Sequence, residues 1–491
     1  MSLPTDPRGA SLSTMRRISG EPIPPPHPLP WRRQRQILDA RFRQAPARPP
    51  GGAPVLQLGR LAVDLDAAFA FAITVSMLFI STLGTKGAAA IALLTPLYLF
   101  VRRRDLLTSF TQRAFLFAFP TLALCSVLWS SARGESLKYA VELLITVVAG
   151  VLFASAADKR NVVRAVALAF AAYVVAAVAT GGQVAVGVGA GGAAFSGLTE
   201  SKNLMADIAG TGLLITLSAI AISIGRRQWL MTAGFCFTGL LAAYALVAAR
   251  SAGALMAVAV ACAAFAGLLL LTRAGRAVRA SATSMLLLIM VVAGLNFRAL
   301  AQALIAFGAS AFDKDPTLTG RTYLWYRAQD VMQQVPLLGR GYSAFWLQGN
   351  LDAEGLWRYA GIVGRGGFNF HNTVIDLRVT LGWLGVAVFF SVVVIGMACL
   401  IRRFVVRPSL PVLCWTSVAL YEVSRMAIES IAFQQLYHPT LLLFTALGVG
   451  VGAYELAPSR PSRQRAARSF ERADYAAGAQ GSNALARRYS A

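Results

Sequence analysis

The sequence predicts an all-α, polytopic membrane protein with about twelve transmembrane helices and one large outward loop between the ninth and the tenth. Three observations predict it. Of 491 residues, 56% are hydrophobic and 14% are charged, against roughly 25% charged in an average soluble domain. Apolar runs of about spanning length recur through the middle of the chain. Arginines crowd the two ends and every second connection between those runs, as expected of charges kept on the cytoplasmic side of a membrane. With a mean hydropathy of +0.58, the chain is neither a large soluble enzyme nor disordered throughout. The net charge of +24 follows membrane orientation, so no nucleic-acid partner is expected.

Residues 1–60 hold Pro22, Pro24, Pro25, Pro26, Pro28 and Pro30, then Arg32, Arg33, Arg35, Arg41, Arg43 and Arg48. Such a segment buries too little apolar area to fold, and it lacks the apolar stretch of a signal peptide. It reads as a disordered basic cytoplasmic tail suited to anionic lipid. The spans follow at about 62–83, 85–101, 114–130, 139–156, 162–180, 204–224, 229–249, 252–271, 282–300, 373–400, 410–430 and 439–456. They group into a block of nine helices (61–300), the loop (301–372) and a block of three (373–456), with a second basic tail at 457–491. Counting from a cytoplasmic tail, the inward connections carry Arg102 to Arg104, Lys159 and Arg160, Arg226 and Arg227, Arg273 to Arg279, and Arg402, Arg403 and Arg407. Outward connections such as 181–203 and 431–438 are nearly free of Arg and Lys. An even number of spans with both termini inside satisfies this alternation. Cys125, Cys236, Cys262, Cys399 and Cys414 all lie in apolar runs without a CxxC pair. They read as small buried side chains rather than disulfides or zinc ligands.

Two outward connections stand out. Residues 181–203 end in Thr199-Glu200-Ser201-Lys202-Asn203. The loop 301–372 carries Trp325, Trp346 and Trp357, and loops of that length without a function are uncommon. Within it Tyr323, Leu324, Ala328, Val331 and Met332 have helical spacing, which predicts a short amphipathic helix at the outer surface.

The candidate site residues are polar groups on the outward side. Arg250, in Ala249-Arg250-Ser251, reads equally as a snorkelling anchor or as a functional cation. Arg321 follows Thr319-Gly320, which would turn the chain, cap a helix and place the guanidinium beside free backbone N–H groups as an anion site. Arg340 lies between two glycines in Pro336-Leu337-Leu338-Gly339-Arg340-Gly341-Tyr342, either a plain turn or a close approach to phosphate. His371-Asn372 abuts the tenth span, and an imidazole suits general-base work near neutral pH. His438 is the reserve histidine, and His27 lies in the tail. Lys202 with Asn203 opens the sixth span, where a lysine serves as a point charge for diphosphate or simply as an interface residue. Glu422, Arg425 and Glu429 fall on one helix face and read mainly as a structural network, with a role in lining the active cavity as the alternative. No Walker loop, HExxH or GxSxG arrangement appears, and no metal or cofactor is expected. An outward site has no cytosolic ATP, so its donor must arrive already activated.

The ordered set Leu318-Thr319-Gly320-Arg321-Thr322 with Trp325, Pro336 to Tyr342 with Phe345-Trp346, His371-Asn372 and Leu381-Gly382-Trp383-Leu384-Gly385 resembles the O-antigen ligase and polymerase superfamily, most of all the exopolysaccharide polymerases of the Wzy-dependent pathway. The match is sharpest over residues 315–390, while residues 347–368 do not align. The resemblance implies a metal-independent inverting glycosyltransferase of the GT-C type in the bacterial inner membrane, with a periplasmic site. It implies an undecaprenyl-diphosphate-linked glycan as donor, and a second lipid-linked repeat (polymerase) or lipid A-core (ligase) as acceptor. A chain-length regulator and a flippase are the partners it suggests. It also draws Lys202-Asn203 and Arg250-Ser251 into the cavity. On this reading His371 is the base, Asn372 holds geometry, and Arg321, Arg250, Lys202 and Arg340 receive the diphosphate. The rival classes are a sugar transporter, a lipid-linked oligosaccharide flippase and a non-catalytic scaffold; related halves are expected of many carriers, and none is evident here.

Overall fold

The computed structural model describes residues 55–58, 61–187, 190–296, 321–365 and 368–451. The predicted tails 1–60 and 457–491 lie outside these residues except for the strand at Val55–Leu58, and so does Thr319-Gly320.

The chain is mostly helical. The described residues open with a small antiparallel hairpin, β1 (Val55–Leu58) and β2 (Leu61–Asp64), whose first strand falls within the segment the sequence reading assigned to the tail. Asp64 then caps α1 (Leu65–Leu78) by accepting from the N–H groups of Asp66 and Ala67. Next come α2 (Ile80–Leu83), α3 (Thr85–Val101), α4 (Arg103–Thr111), α5 (Ala118–Cys125) between two 3₁₀ turns, α6 (Arg133–Ser155) and α7 (Lys159–Thr180). A second hairpin, β3 (Gly182–Gly187) with β4 (Ala190–Gly197), fills the first unusual connection. After it run α8 (Lys202–Gly225), α9 (Trp229–Ala248), α10 (Ala252–Leu271) and α11 (Arg276–Leu295). The loop contributes α12 (Arg321–Gln334) and α13 (Leu351–Tyr359), and α14 (Thr373–Val406), α15 (Leu410–Arg425) and α16 (His438–Val451) follow. The two hairpins correct the purely helical expectation. In the second, Gly- and Ala-rich sequence without helical periodicity pairs with itself instead.

Among the described residues six helices, α6 to α10 and α14, are long and apolar enough to cross a membrane, and α1, α3, α16 and the segment 114–128 are shorter apolar helices. In α8, 67% of the most apolar window is buried, against 17% in α10. Helix α8 is therefore interior, and α10 presents most of its surface outward. The cysteines follow this gradient: Cys414 on α15 is buried, but Cys125 and Cys236 are exposed. That corrects the reading of all five as buried fillers, because an apolar side chain on an outer helix needs no protein cover where lipid supplies it.

Arginines tie one end of the bundle together. Arg102 meets Asp66 at 2.5 Å and Arg226 meets Asp158 at 2.7 Å. Arg113 Nε donates to Gly448 O at 2.9 Å and Arg403 Nη1 to Val449 O at 2.5 Å, both onto the last turn of α16. Such cations suit a helix C-terminus. Asp64 and Asp66, spaced like a carboxylate pair for a metal, are both taken up by these contacts: Asp64 also accepts from Asn161, and Asp66 also accepts from Tyr98 and Ala157 N.

At the opposite end the loop packs onto α14. Arg340 N donates to Val379 O (2.9 Å) and Gly341 N to Thr380 O (2.8 Å), while Trp383 N and Leu384 N donate to Pro336 O and Leu337 O (3.0 and 3.1 Å). Helix α14 breaks at Gly382, with φ 64° and ψ −161°. A Cβ on Gly382 would lie 2.2 Å from Leu337 O, and one on Gly339 would lie 2.5 Å from Thr380 O. Two of the sequence motifs thus interlock through glycine backbone. The expected tenth span, 373–400, is in fact a short helix up to Leu381 and a long one from Trp383.

Candidate active site

The expected amphipathic helix is α12, whose Leu324, Ala328, Val331 and Met332 are buried, although Tyr323 is 40% exposed. These side chains join a small core with Phe345, Trp357 and Phe370. Trp325 Nε1 donates to Phe370 O at 2.8 Å. That fixes the start of α12 against the backbone immediately before His371.

His371 is held on a constrained backbone. Its φ is 51°, an uncommon conformation for a side chain with a Cβ. Asn372 caps α14 by accepting from Ile375 N at 3.1 Å, and its side-chain amide donates to Ala427 O at 2.9 Å. Ser430 Oγ accepts from Asn372 N at 2.9 Å and donates to Asp376. Asp376 also accepts from Phe370 N at 3.0 Å. Thr373 Oγ1 donates to Glu429 O at 2.9 Å. Segment 426–431 is therefore stitched to the first turn of α14.

That stitching presents Glu429. Its Oε2 lies 3.0 Å from His371 Nδ1, and its Oε1 accepts from Arg321 Nη2 at 3.0 Å. Arg321 Nη1 also donates to Ile428 O at 2.5 Å. Burial alone would raise the Glu429 carboxyl, but His371 and Arg321 outweigh it and hold the group below its usual range. With a carboxylate on Nδ1, the favoured tautomer carries its proton there and leaves Nε2 as a proton acceptor. The unit is an imidazole, a carboxylate on its Nδ1 and a guanidinium on the same carboxylate, drawn from three separate segments.

The structure separates the network read at Glu422, Arg425 and Glu429. Helix α15 ends at Arg425, so Glu429 leaves that face. Arg425 pairs with Glu422 at 2.6 Å and with Asp207 of α8. Asp207 also accepts from Tyr437 at 3.2 Å and lies 3.4 Å from His438 Nε2. The reserve histidine thus belongs to a buried charge cluster, with 2% of its surface exposed.

Arg321, Trp325, His371 and Asn372 come together in one site. Lys202, Asn203 and Arg250 form a second group: Ser251 Oγ donates to Asn203 Oδ1 at 3.1 Å, joining the starts of α8 and α10. Arg250 is exposed with φ 48°. Asn203 stands one turn before Asp207, and Glu429 one turn beyond Arg425, so the Asp207–Arg425 pair connects the two groups. Arg340 is placed apart. Its Nη2 donates to Gln334 Oε1 at 2.6 Å and lies 3.8 Å from Asp352, and its flanking glycines are used in docking onto α14. The sequence reading does not reach the pairing of Glu429 with His371, nor Asp376. The available signals were a glutamate in the last residues of the eleventh apolar run and an acid four residues after Asn372.

Residues 237–390 match the family model described as O-antigen ligase. The chain is also 32% identical over 368 residues to the exopolysaccharide production protein ExoQ of Rhizobium meliloti (strain 1021), covering 74% of this chain and 80% of that one. The family match takes in Arg250, α12, the 336–341 turn, His371 and the start of α14, and with this relative it shows that the chain belongs to the O-antigen ligase and Wzy-type polymerase family.

Proposed function

We propose that this chain is a polymerase that joins undecaprenyl-diphosphate-linked oligosaccharide repeats into exopolysaccharide at the periplasmic face of the inner membrane. The observation that carries the reading is the His371–Glu429–Arg321 unit, with a second group of polar and cationic residues, Lys202, Asn203 and Arg250, linked toward it through the Asp207–Arg425 pair. The kinship to a protein named for exopolysaccharide production supports this product. The arginine alternation supports about twelve spans, cytoplasmic termini and a site on the opposite side.

His371 Nε2 takes the proton from the acceptor sugar hydroxyl as that oxygen attacks the anomeric carbon. Glu429 holds the ring and stabilises the imidazolium that forms. The bond to the diphosphate breaks on the far face of the sugar, which inverts the anomeric centre. Arg321, Arg250 and Lys202 receive the growing negative charge, with no metal ion. Arginine suits this because its planar fork binds two phosphate oxygens. Arg321 must share its fork between Glu429 and the leaving group. Asn372 keeps His371 at the head of α14.

The family description favours a second reading, in which the acceptor is lipid A-core and the chain is a ligase. One experiment separates the two. Purified protein incubated with lipid-linked repeats alone should give a ladder of longer glycans, whereas a ligase gives product only after lipid A-core is added. His371→Ala should lose roughly 10²–10⁴-fold in transfer rate while expressing and folding as before; an unchanged rate removes His371 as the base.

A further inference from the structure

Beside the His371 unit lies a groove of about 470 Å³, lined by Trp325, Gln329, Met332 and Gln333 of α12 and by Ile375 and Arg378 of α14. Its volume falls within the roughly 300–1,000 Å³ of small-ligand sites. The groove adjoins the site through Trp325, whose indole also bonds to the backbone before His371. Along α12, Arg321, Trp325, Gln329 and Gln333 recur every four residues, a single helical face extending for about 18 Å at roughly 1.5 Å per residue. On the other wall Ile375 and Arg378 follow His371 at offsets of four and seven.

The lining combines apolar groups with two amides and a guanidinium. Gln329 is exposed, as is Gln333, and neither amide has a hydrogen bond among the described residues. Arg378 stacks its guanidinium over Trp383, 4.2 Å from the ring centroid. It has no acidic partner among the described residues, and its Nε is buried without a hydrogen-bond acceptor. A cation left unpaired in a half-enclosed place calls for an anionic or strongly accepting ligand. An indole, two amides and an arginine together suit a ring with apolar C–H faces and a polar rim.

We propose that this groove binds the pyranose segment next to the reacting sugar, and that Arg378 selects a glycan carrying a carboxylate there. The inference rests on the polymerase reading and extends it from the reacting centre to the chain being built. Bound along α12, the glycan would be steered toward His371 and kept from leaving between additions.

The test uses the full-length chain in detergent, titrated separately with hexagalacturonate, cellohexaose and sodium diphosphate, with tryptophan fluorescence as the readout. Both saccharides should bind, the acidic one more tightly. Arg378→Ala should weaken hexagalacturonate about tenfold, the loss of a charge-assisted hydrogen bond, and should remove the preference for it. Gln329→Ala, at an exposed position that does not threaten folding, should weaken both saccharides. His371→Ala should bind saccharide normally. The proposal is overturned if neither saccharide binds, if both groove variants bind like the wild type, or if diphosphate alone binds. Failure of binding with chain extension intact rejects the groove only. Absence of extension with binding intact rejects the polymerase reading only.

Discussion

The carboxylate of Glu429 lies 3.0 Å from Nδ1 of His371, although 58 residues separate them in sequence. A histidine with a charged group on one nitrogen has a fixed ring orientation, a fixed tautomer and a stabilised cation. Replacing Glu429 by Gln should therefore lower the transfer rate by roughly 10²-fold or more with little change in the KM for lipid-linked donor. Glu429→Asp, which keeps the charge, should recover part of the rate.

The same carboxylate makes stability depend on pH. Glu429 is held below its usual range because His371 and Arg321 outweigh its burial. Its folded pKa is thus lower than its unfolded one, near 4.3. Its contribution is complete above that unfolded value and disappears as pH falls through the folded one. Thermal unfolding in detergent should show wild type more stable than Glu429→Gln at pH 7, with the gap closing in acid below the ordinary carboxylate range.

Gly382 joins the loop to the membrane helices. A Cβ there would meet Leu337 O at 2.2 Å on a backbone with φ 64°. Gly382→Ala should cost at least about 1–2 kcal/mol for the left-handed conformation, with the clash added. Hydrogen exchange should then rise over both 336–341 and 379–384, since these segments share four backbone bonds.

Asp207, Glu422 and Arg425 form a buried ionic cluster in which no side chain exceeds 8% exposure. Arg425→Met alone leaves two carboxylates without their cation and should cost about 3–5 kcal/mol. Combining it with Asp207→Asn and Glu422→Gln should restore much of the loss. Equal melting temperatures for the single and triple variants would show that charge pairing is not what the cluster contributes.

Much of the candidate site is visible in the residues themselves. His371, Asn372, Arg321 and Trp325 sit in motifs that stand in order along the chain, and the structure gathers all four. Arg340 shows where a local reading stops. Two glycines around an arginine suit a phosphate as well as they suit a close backbone contact, and only the position of Thr380 and Leu381 decides for the contact. Glu429 shows the complementary failure: an offset of four from Arg425 suggests a shared helix face, but α15 ends at Arg425 and the acid goes to His371 instead.

The sequence by itself determined the membrane class, the helical segments and the residues able to do acid–base and anion chemistry. Hydropathy, charge bias and helical spacing are properties of short stretches, and each stretch carries its own. Which carboxylate pairs with the histidine, which arginine joins that pair and where a groove opens near it were decided by the tertiary structure. Those are contacts between segments far apart in the chain, created when the turn after α15 and the helix α12 pack against the head of α14.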